Sequence, residues 1–214
     1  MTVGQRMTKN PITVKPETPV SEAQYTMRKE KVHRFPVVDK DQKLKGIVTE
    51  KDLLYATPSP ATTLDVYEMS YLLYKLKVDE VMSTDLVTVT EDTPIEEAAK
   101  VLVDNNIGGL PVLRDGKLVG IITESDLFKV FLEMFASREK GVRMTLVIPE
   151  ERGELAKLAG AVSAVGGNIL ALGTFLGEDS SQTLLTMKVQ DVDAETLRKA
   201  VLPVVKEIVD VRVI

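Results

Sequence analysis

Pro36-Val-Val-Asp-Lys-Asp-Gln-Lys-Leu-Lys-Gly-Ile-Val-Thr-Glu-Lys-Asp-Leu53 returns as Pro111-Val-Leu-Arg-Asp-Gly-Lys-Leu-Val-Gly-Ile-Ile-Thr-Glu-Ser-Asp-Leu127, with Pro, Gly, Thr, Glu, Asp and Leu in register. Internal repetition of this kind defines the architecture before any other signal. The match extends upstream at an offset of 75, pairing Met7 with Met82, Val14 with Val89, Thr18-Pro19 with Thr93-Pro94 and Ala23 with Ala98. The offset becomes 74 before Gly46 and Gly120, so one residue is lost in the intervening turn, where a deletion is tolerated.

Each copy predicts the same order of elements. A turn (Asn10-Pro11, Thr84-Asp85) leads into a short extended stretch, Ile12 to Val14 or Leu86 to Val89. Thr18-Pro19 and Thr93-Pro94 start helices over Val20–Lys31 and Ile95–Asn105, because proline is accommodated in a first helical turn. Two β-runs follow, Phe35–Val38 and Leu44–Val48 in the first copy, Leu110–Leu113 and Lys117–Ile122 in the second. Lys40-Asp41-Gln42 and Asp115-Gly116 make the polar turns between them, the latter a strong hairpin signal.

Gly46-Ile-Val-Thr-Glu-Lys-Asp52 and Gly120-Ile-Ile-Thr-Glu-Ser-Asp126 carry the chemistry. A strand ends, a Thr hydroxyl stands at a helix N-cap and a carboxylate follows three residues on, a capping box with Asp in place of Glu. Taken alone, Thr49/Asp52 and Thr123/Asp126 are therefore helix caps. The same geometry offers a second use: the helix N-terminus attracts phosphate, and the Asp carboxylate accepts from a ribose diol.

With Val3-Gly4-Gln5-Arg6-Met7-Thr8 and Val78-Asp79-Glu80-Val81-Met82-Ser83, and with Arg34-Phe35-Pro36-Val37-Val38 and Gly109-Leu110-Pro111-Val112-Leu113, these segments resemble a tandem pair of CBS domains over about residues 1–135. The resemblance implies a pseudo-two-fold module with two clefts for adenosine-containing ligands: AMP, ADP, ATP or S-adenosylmethionine. Carried over by position, Thr49, Asp52, Thr123 and Asp126 hold ribose and phosphate, while Pro11-Ile12 and Leu86-Val87 flank the base. The only histidine, His33, precedes Arg34. A lone His is more often structural, but His33-Arg34 looks like the phosphate-contacting pair of adenylate-sensing CBS modules. Gly108-Gly109 stand at that place in the second copy, so the two clefts differ, although His33-Arg34 could serve either across the pseudo-dyad.

Between the copies, Pro58 and Pro60 break the chain, and Thr62 or Thr63 can cap a helix on which Leu64, Tyr67, Tyr71 and Tyr74 share a face. That face either covers the module's own core or joins a dimer interface, where tyrosine is enriched. Past Phe135, Ala136-Ser-Arg-Glu-Lys-Gly141 is a polar linker. Beyond it come a strand Val142–Ile148, a helix with Leu155, Leu158, Ala159, Val162 and Val165 on one face and a Gly166-Gly167-Asn168 stop. The run Ile169–Leu176, the turn Gly177–Ser180, a strand Gln182–Val189, a helix Ala194–Lys206 and a strand Val209–Val213 complete a βαββαβ, ferredoxin-like plan.

The Arg152-Gly153-x-Leu155 turn and the Gly-Gly-Asn168-Ile169 stretch resemble an ACT domain, which implies an amino acid or other small-molecule site lined by Arg152, Gly153, Asn168 and Ile169. Glu151-Arg152 stand where many ACT domains have Asp and Pro. Two CBS copies followed by an ACT domain are similar to the acetoin-utilisation (AcuB) type. The expected class is therefore α+β: CBS repeat 1 over residues 1–56, a linker helix over 57–77, CBS repeat 2 over 78–136 and an ACT domain over 141–214.

Composition narrows the function. The 214 residues are 44% apolar, enough to bury a core, and 27 basic against 32 acidic residues give a net charge of −5 with no basic block for nucleic acid. There is no cysteine, hence no disulfide, thiolate metal site or cysteine nucleophile. No apolar run approaches the roughly 18 residues of a membrane span, and no signal peptide opens the chain, so a cytoplasmic protein is expected. No constellation suggests catalysis or metal binding, and a regulatory sensor acting on a partner in carbon metabolism, itself a homodimer, is the expected function. An assembly protein with vestigial sites and an enzyme using carboxylates such as Glu50 and Asp52 are the alternatives.

Overall fold

The computed structural model describes residues 1–56, 65–176 and 181–214. The expected chain break and cap at Pro58, Pro60, Thr62, Thr63 and Leu64, and the expected turn at Gly177–Ser180, lie outside the described residues. The chain forms two compact units, Met1–Leu127 and Phe128–Ile214.

The first unit opens with a short helix α1 (Val3–Arg6) and a two-residue strand β1 (Thr8–Lys9), followed by α2 (Val20–Glu30), β2 (Arg34–Val38), β3 (Leu44–Thr49) and α3 (Glu50–Tyr55). Helix α4 (Val66–Lys75) leads into the second repeat: a 3₁₀ turn at Val78–Glu80, β4 (Val89–Thr90), α5 (Ile95–Asp104), β5 (Gly109–Arg114), β6 (Lys117–Thr123) and the start of α6 (Glu124–Met134). Pro19 and Pro94 stand at the N-caps of α2 and α5, as their fixed φ suits. Asp115 and Gly116 both take positive φ, which makes the β5–β6 turn type I′ and matches it to strand twist.

The repeats exchange their opening segments, which the linear motif order does not reveal. Strand β1 pairs antiparallel with β6 of the second repeat, Thr8 opposite Ile121. At the pseudo-equivalent place Ser83 bridges Ile47 in β3 of the first repeat. The hydrophobic cores follow suit. Val3 and Met7 pack with Val89, Ala98, Leu102, Leu110, Val112 and Ile122. Val78 and Met82 pack with Val20, Ala23, Met27, Phe35, Val37, Val48 and Leu53. Neither core is complete without the other copy's first turn, so the repeats fold as one body. The two glycines of the shared motif make this possible: a Cβ on Gly120 would run into Met7 Sδ, and one on Gly46 into Met82 Sδ.

The second unit continues with β7 (Val142–Pro149), α7 (Glu154–Ala164), β8 (Asn168–Leu176), β9 (Gln182–Gln190), α8 (Ala194–Val201), a 3₁₀ turn at Leu202–Val204 and β10 (Glu207–Val213). The sheet runs β10-β7-β9-β8 with every pair antiparallel, which is the ferredoxin-like order. One face of β7 and β9 (Val142, Met144, Leu146, Ile148, Leu185, Met187, Val189) closes a core with Leu158, Val162, Leu197 and Val201 of the helices.

Three expectations need adjusting. The last helix stops at Val201 and not Lys206, because Pro203 offers no N–H to continue it. Helix α7 is rotated from its expected face: Glu154, Leu158 and Val162 are buried, while Leu155 and Ala159 are exposed. Glu154 can occupy that face because Lys157 Nζ reaches its carboxylate at 2.5 Å. Finally, Ile12 to Val14 yields only a bridge from Val14 to Val37, parallel in direction.

Candidate functional site

Both motif helices begin with a Thr–Asp cap, and in the first copy it is closed in both directions. The backbone N–H and hydroxyl of Thr49 donate to Asp52 Oδ2 at 2.8 and 2.7 Å, and the Asp52 N–H returns to Thr49 Oγ1 at 3.3 Å. In the second copy the Thr123 N–H and hydroxyl donate to Asp126 Oδ2 at 3.1 and 2.8 Å, and Asp126 is buried. The structural role read from sequence is therefore present twice. It does not exhaust the carboxylate at position 52: the cap uses only Oδ2, and a carboxylate offers about four acceptor directions.

Thr49 and Asp52 line a cleft of about 500 Å³ within the first unit, a size in the range of about 300–1,000 Å³ usual for small-molecule sites. His33, Arg34 and Glu50 come to it from the first repeat, and Ser83, Asp85, Leu86, Val87 and Asn106 to Pro111 from the second. Strand exchange explains how sequence-distant Leu86-Val87 and Thr49–Asp52 meet, since the Ser83–Ile47 bridge ties the two segments together. Of the residues singled out from sequence, His33, Arg34, Thr49, Asp52, Leu86 and Val87 thus share one cleft. Pro11 and Ile12 follow the Thr8–Ile121 pairing and correspond in the repeat to Leu86 and Val87, Ile12 being 41% exposed.

Electrostatics of the cleft centre on Arg34. Its guanidinium lies against Gly108-Gly109, the pseudo-equivalents of His33-Arg34: a Cβ on Gly108 would stand 2.6 Å from Nη2, and one on Gly109 2.6 Å from Nη1. Only one of the two copies can carry a long side chain here, and glycines in the other make the room. The asymmetry seen in sequence thus puts one cation, Arg34, against the glycines of the other copy. Burial lowers the Arg34 pKa and the nearby Glu124 carboxylate opposes that, with burial the larger effect. Arginine nonetheless stays charged. Among the described residues its guanidinium has no hydrogen-bond or ion-pair partner. His33 Nδ1 and Glu50 Oε2 are 2.8 Å apart on the exposed rim.

Motif reading passed over Asn106, which lines the cleft, and Glu124, whose carboxylate acts on Arg34. The repeat register held the signal, since it sets Glu50 against Glu124 and His33-Arg34 against Gly108-Gly109.

The CBS domain family matches residues 3–59 and 78–133, more than half of the sequence. The chain belongs to the CBS-domain family. Its CBS pair has solved structural neighbours. An acetoin-utilisation-type protein (AcuB) of Vibrio cholerae is 31% identical with a TM-score of 0.54, covering 64% of this chain and 95% of that one. CBSX2, solved in complex with AMP, is 34% identical with a TM-score of 0.51, covering 61% and 96%. A CBS domain pair solved with 5′-methylthioadenosine and S-adenosyl-L-methionine is 27% identical with a TM-score of 0.52, covering 65% and 98%.

The residues assigned to an ACT-type site do not meet within one chain. Arg152 and Gly153 follow the end of β7, whereas Asn168 and Ile169 pair with Gln190 and Val189, level with the start of β7. The eight residues of β7 put about 24 Å between the two ends. Gly153 sits at the N-cap of α7 with φ of 92° and open space where a Cβ would point, so its backbone conformation requires glycine. The tyrosines of α4 do not cover the core: Tyr67, Tyr71 and Tyr74 are all exposed, with Lys75 4.5 Å over the Tyr71 ring. No helix among the described residues is long and apolar enough to cross a membrane.

Proposed function

We propose that the protein is a regulatory sensor that binds an adenosine-containing nucleotide (AMP, ADP, ATP or S-adenosylmethionine) in its CBS pair and has no catalytic site of its own. The observation that carries this is the half-buried Arg34 guanidinium, without a hydrogen-bond or ion-pair partner among the described residues, in a cleft that Asp52 also lines. Arg34 and His33 take the phosphate, Thr49 and Asp52 the ribose, and Leu86-Val87 flank the base. Thr123, Asp126, Pro11 and Ile12 do the same in the second cleft. AMP and S-adenosyl-L-methionine in structural neighbours support the ligand class.

On this proposal the domains are CBS repeat 1 (1–56), linker (57–77), CBS repeat 2 (78–136) and an ACT domain (141–214). The antiparallel ferredoxin-like sheet and the left-handed Gly153 support the last. Because Arg152-Gly153 and Asn168-Ile169 are far apart in one chain, an ACT-type amino-acid site joins two copies. That agrees with a homodimer, also served by the exposed Tyr67, Tyr71 and Tyr74. The sensor is cytoplasmic and regulates a partner in carbon metabolism, by similarity to AcuB.

An assembly protein with vestigial sites is the second reading, favoured by the fact that in both copies the Thr and Asp of the motif already bond to one another. Thermal unfolding of the full chain separates the two. A ligand at a hundredfold its Kd stabilises by about 2.7 kcal/mol, so AMP, ADP, ATP or S-adenosylmethionine at millimolar concentration should raise Tm by several degrees. No rise with any of them supports the assembly reading. Light scattering in the same samples should give twice the chain mass of 23.6 kDa.

A further inference from the structure

The ferredoxin-like sheet of the second unit has a second face, opposite its helices, and that face is not blank. Thr186 and Lys188 point to it from β9 and are 7% and 3% exposed. In register beside them on β7 stand Thr145 and Arg143, so two cations lie directly opposite each other across a strand pair. Like charges so placed are mutually destabilising. Arg143 is relieved by Asp210, at 3.3 Å, which also pairs with Arg212. Lys188 has no such relief: its ammonium donates to the backbone carbonyls of Ala136 at 2.8 Å and Glu139 at 2.9 Å, and no carboxylate pairs with it among the described residues. An ammonium has three donors, and carbonyls supply no countercharge.

Over this floor rises an aromatic wall. Phe135 lies on Gly173, where a Cβ would stand 2.7 Å from its ring, and it stacks on Phe175 at 6.2 Å and meets Phe131 at 4.8 Å. Phe131 and Phe175 remain about half exposed, a poor use of two large apolar rings unless something lies against them. Walls and floor enclose about 280 Å³, room for roughly nine groups the size of a water at ~30 Å³ each.

We propose that this cavity is a binding site for a small organic carboxylate with an apolar or aromatic body. The carboxylate takes the third donor of Lys188 and the Thr186 hydroxyl beside Arg143, and the body lies among Phe131, Phe135 and Phe175. An anion there supplies the countercharge that Lys188 lacks. A free amino acid is disfavoured, since its α-ammonium would meet two cations. The site is separate from Arg152, Gly153 and the CBS clefts, and it stands whether or not the nucleotide reading does.

Calorimetry on the full chain tests it with phenylacetate, its neutral counterpart 2-phenylethanol and its cationic counterpart 2-phenylethylamine. Phenylacetate should bind in the millimolar range or tighter, with the alcohol at least tenfold weaker and the amine silent. Lys188→Met should weaken phenylacetate at least tenfold and bring it level with the alcohol. Phe131→Ala, at a half-exposed position, should weaken both several-fold and keeps the test decisive if Lys188→Met does not fold. Arg152→Ala and added AMP should leave phenylacetate affinity unchanged. The proposal is overturned by equal affinity for acid and alcohol, by no binding of phenylacetate at millimolar concentration, by unchanged affinity in Phe131→Ala, or by loss in Arg152→Ala.

Discussion

Asp52 is asked to do two things, and substitution can separate them. Its Oδ2 holds the Thr49 N–H and hydroxyl at 2.8 and 2.7 Å, while its carboxylate is assigned to the ribose diol. Asp52→Ala removes the two bonds to Oδ2 and keeps the Asp52 N–H on Thr49 Oγ1, so it should destabilise the protein by about 1–2 kcal/mol, the scale of a lost hydrogen bond to a charged group. In a chain of this size that lowers Tm by about 3 °C per kcal/mol. Asp52→Asn keeps a carbonyl oxygen that can accept both Thr49 donors, so it should lose less than half as much stability. For the ligand the order of severity is different. A diol hydroxyl donating to a carboxylate is worth about 1.5–3 kcal/mol, so Asp52→Asn should weaken AMP by about ten- to a hundredfold despite its near-normal Tm.

The control lies in the ligand. 2′-Deoxy-AMP should bind wild type about tenfold or more weakly, yet the variant should hardly distinguish it from AMP, because the contact is already gone. Calorimetry with two proteins and two ligands closes the cycle, and Asp126→Asn reads the second cleft in the same way. If the two losses add in full, or if Asp52→Asn binds AMP within about twofold of wild type, Asp52 is a helix cap and no more.

Further outcomes follow from the same geometry. Arg34→Ala should weaken AMP by about ten- to a hundredfold through one lost charge-assisted contact and leave adenosine nearly untouched, which competition binding would read; equal losses would make Arg34 a structural residue. Gly46→Ala should cost about 1–3 kcal/mol by overpacking against Met82, and more than Gly120→Ala, because the backbone oxygen of Ser83 stands 3.0 Å from the new Cβ whereas the three atoms nearest a Cβ on Gly120 all belong to the flexible Met7 side chain. Hydrogen bonds from Arg114 hold the Glu91 carboxyl below its ordinary value of 4.5, with Lys9 adding a smaller pull. A depressed carboxyl stabilises the fold above its unfolded pKa and loses that contribution as pH falls through the folded value, so Glu91→Gln should flatten the acid limb of a Tm-against-pH curve below about pH 4.5. An unchanged acid limb would mean that the exposed pair contributes nothing.

Much of this was legible in the chain. The repeat, the Pro19 and Pro94 starts, the Asp115-Gly116 hairpin and both capping boxes rest on short-range sterics and hydrogen bonding, which a single segment encodes. The ferredoxin-like order likewise follows from strand and helix periods. What the sequence hid was long-range: Thr8 and Ser83 join the opposite repeat's sheet, and Met7 and Met82 fill the space that Gly120 and Gly46 leave. Gly108-Gly109 read as a missing cation, whereas they are the bed on which Arg34 lies. Nothing in the sequence sets Lys188 apart within the strand Gln182–Val189, and Ala136 to Gly141 reads as a polar linker. Only the fold joins them, through two carbonyls and one buried ammonium.

The central claim is that an adenosine ligand lies between Thr49–Asp52 and Leu86-Val87, and a crystal structure of the full chain grown with AMP tests it most directly. The expected result is AMP in that cleft, its ribose hydroxyls on the Asp52 carboxylate and its phosphate on the Arg34 guanidinium. A cleft that contains no AMP at saturating concentration, or a nucleotide bound away from both Asp52 and Arg34, would contradict the account.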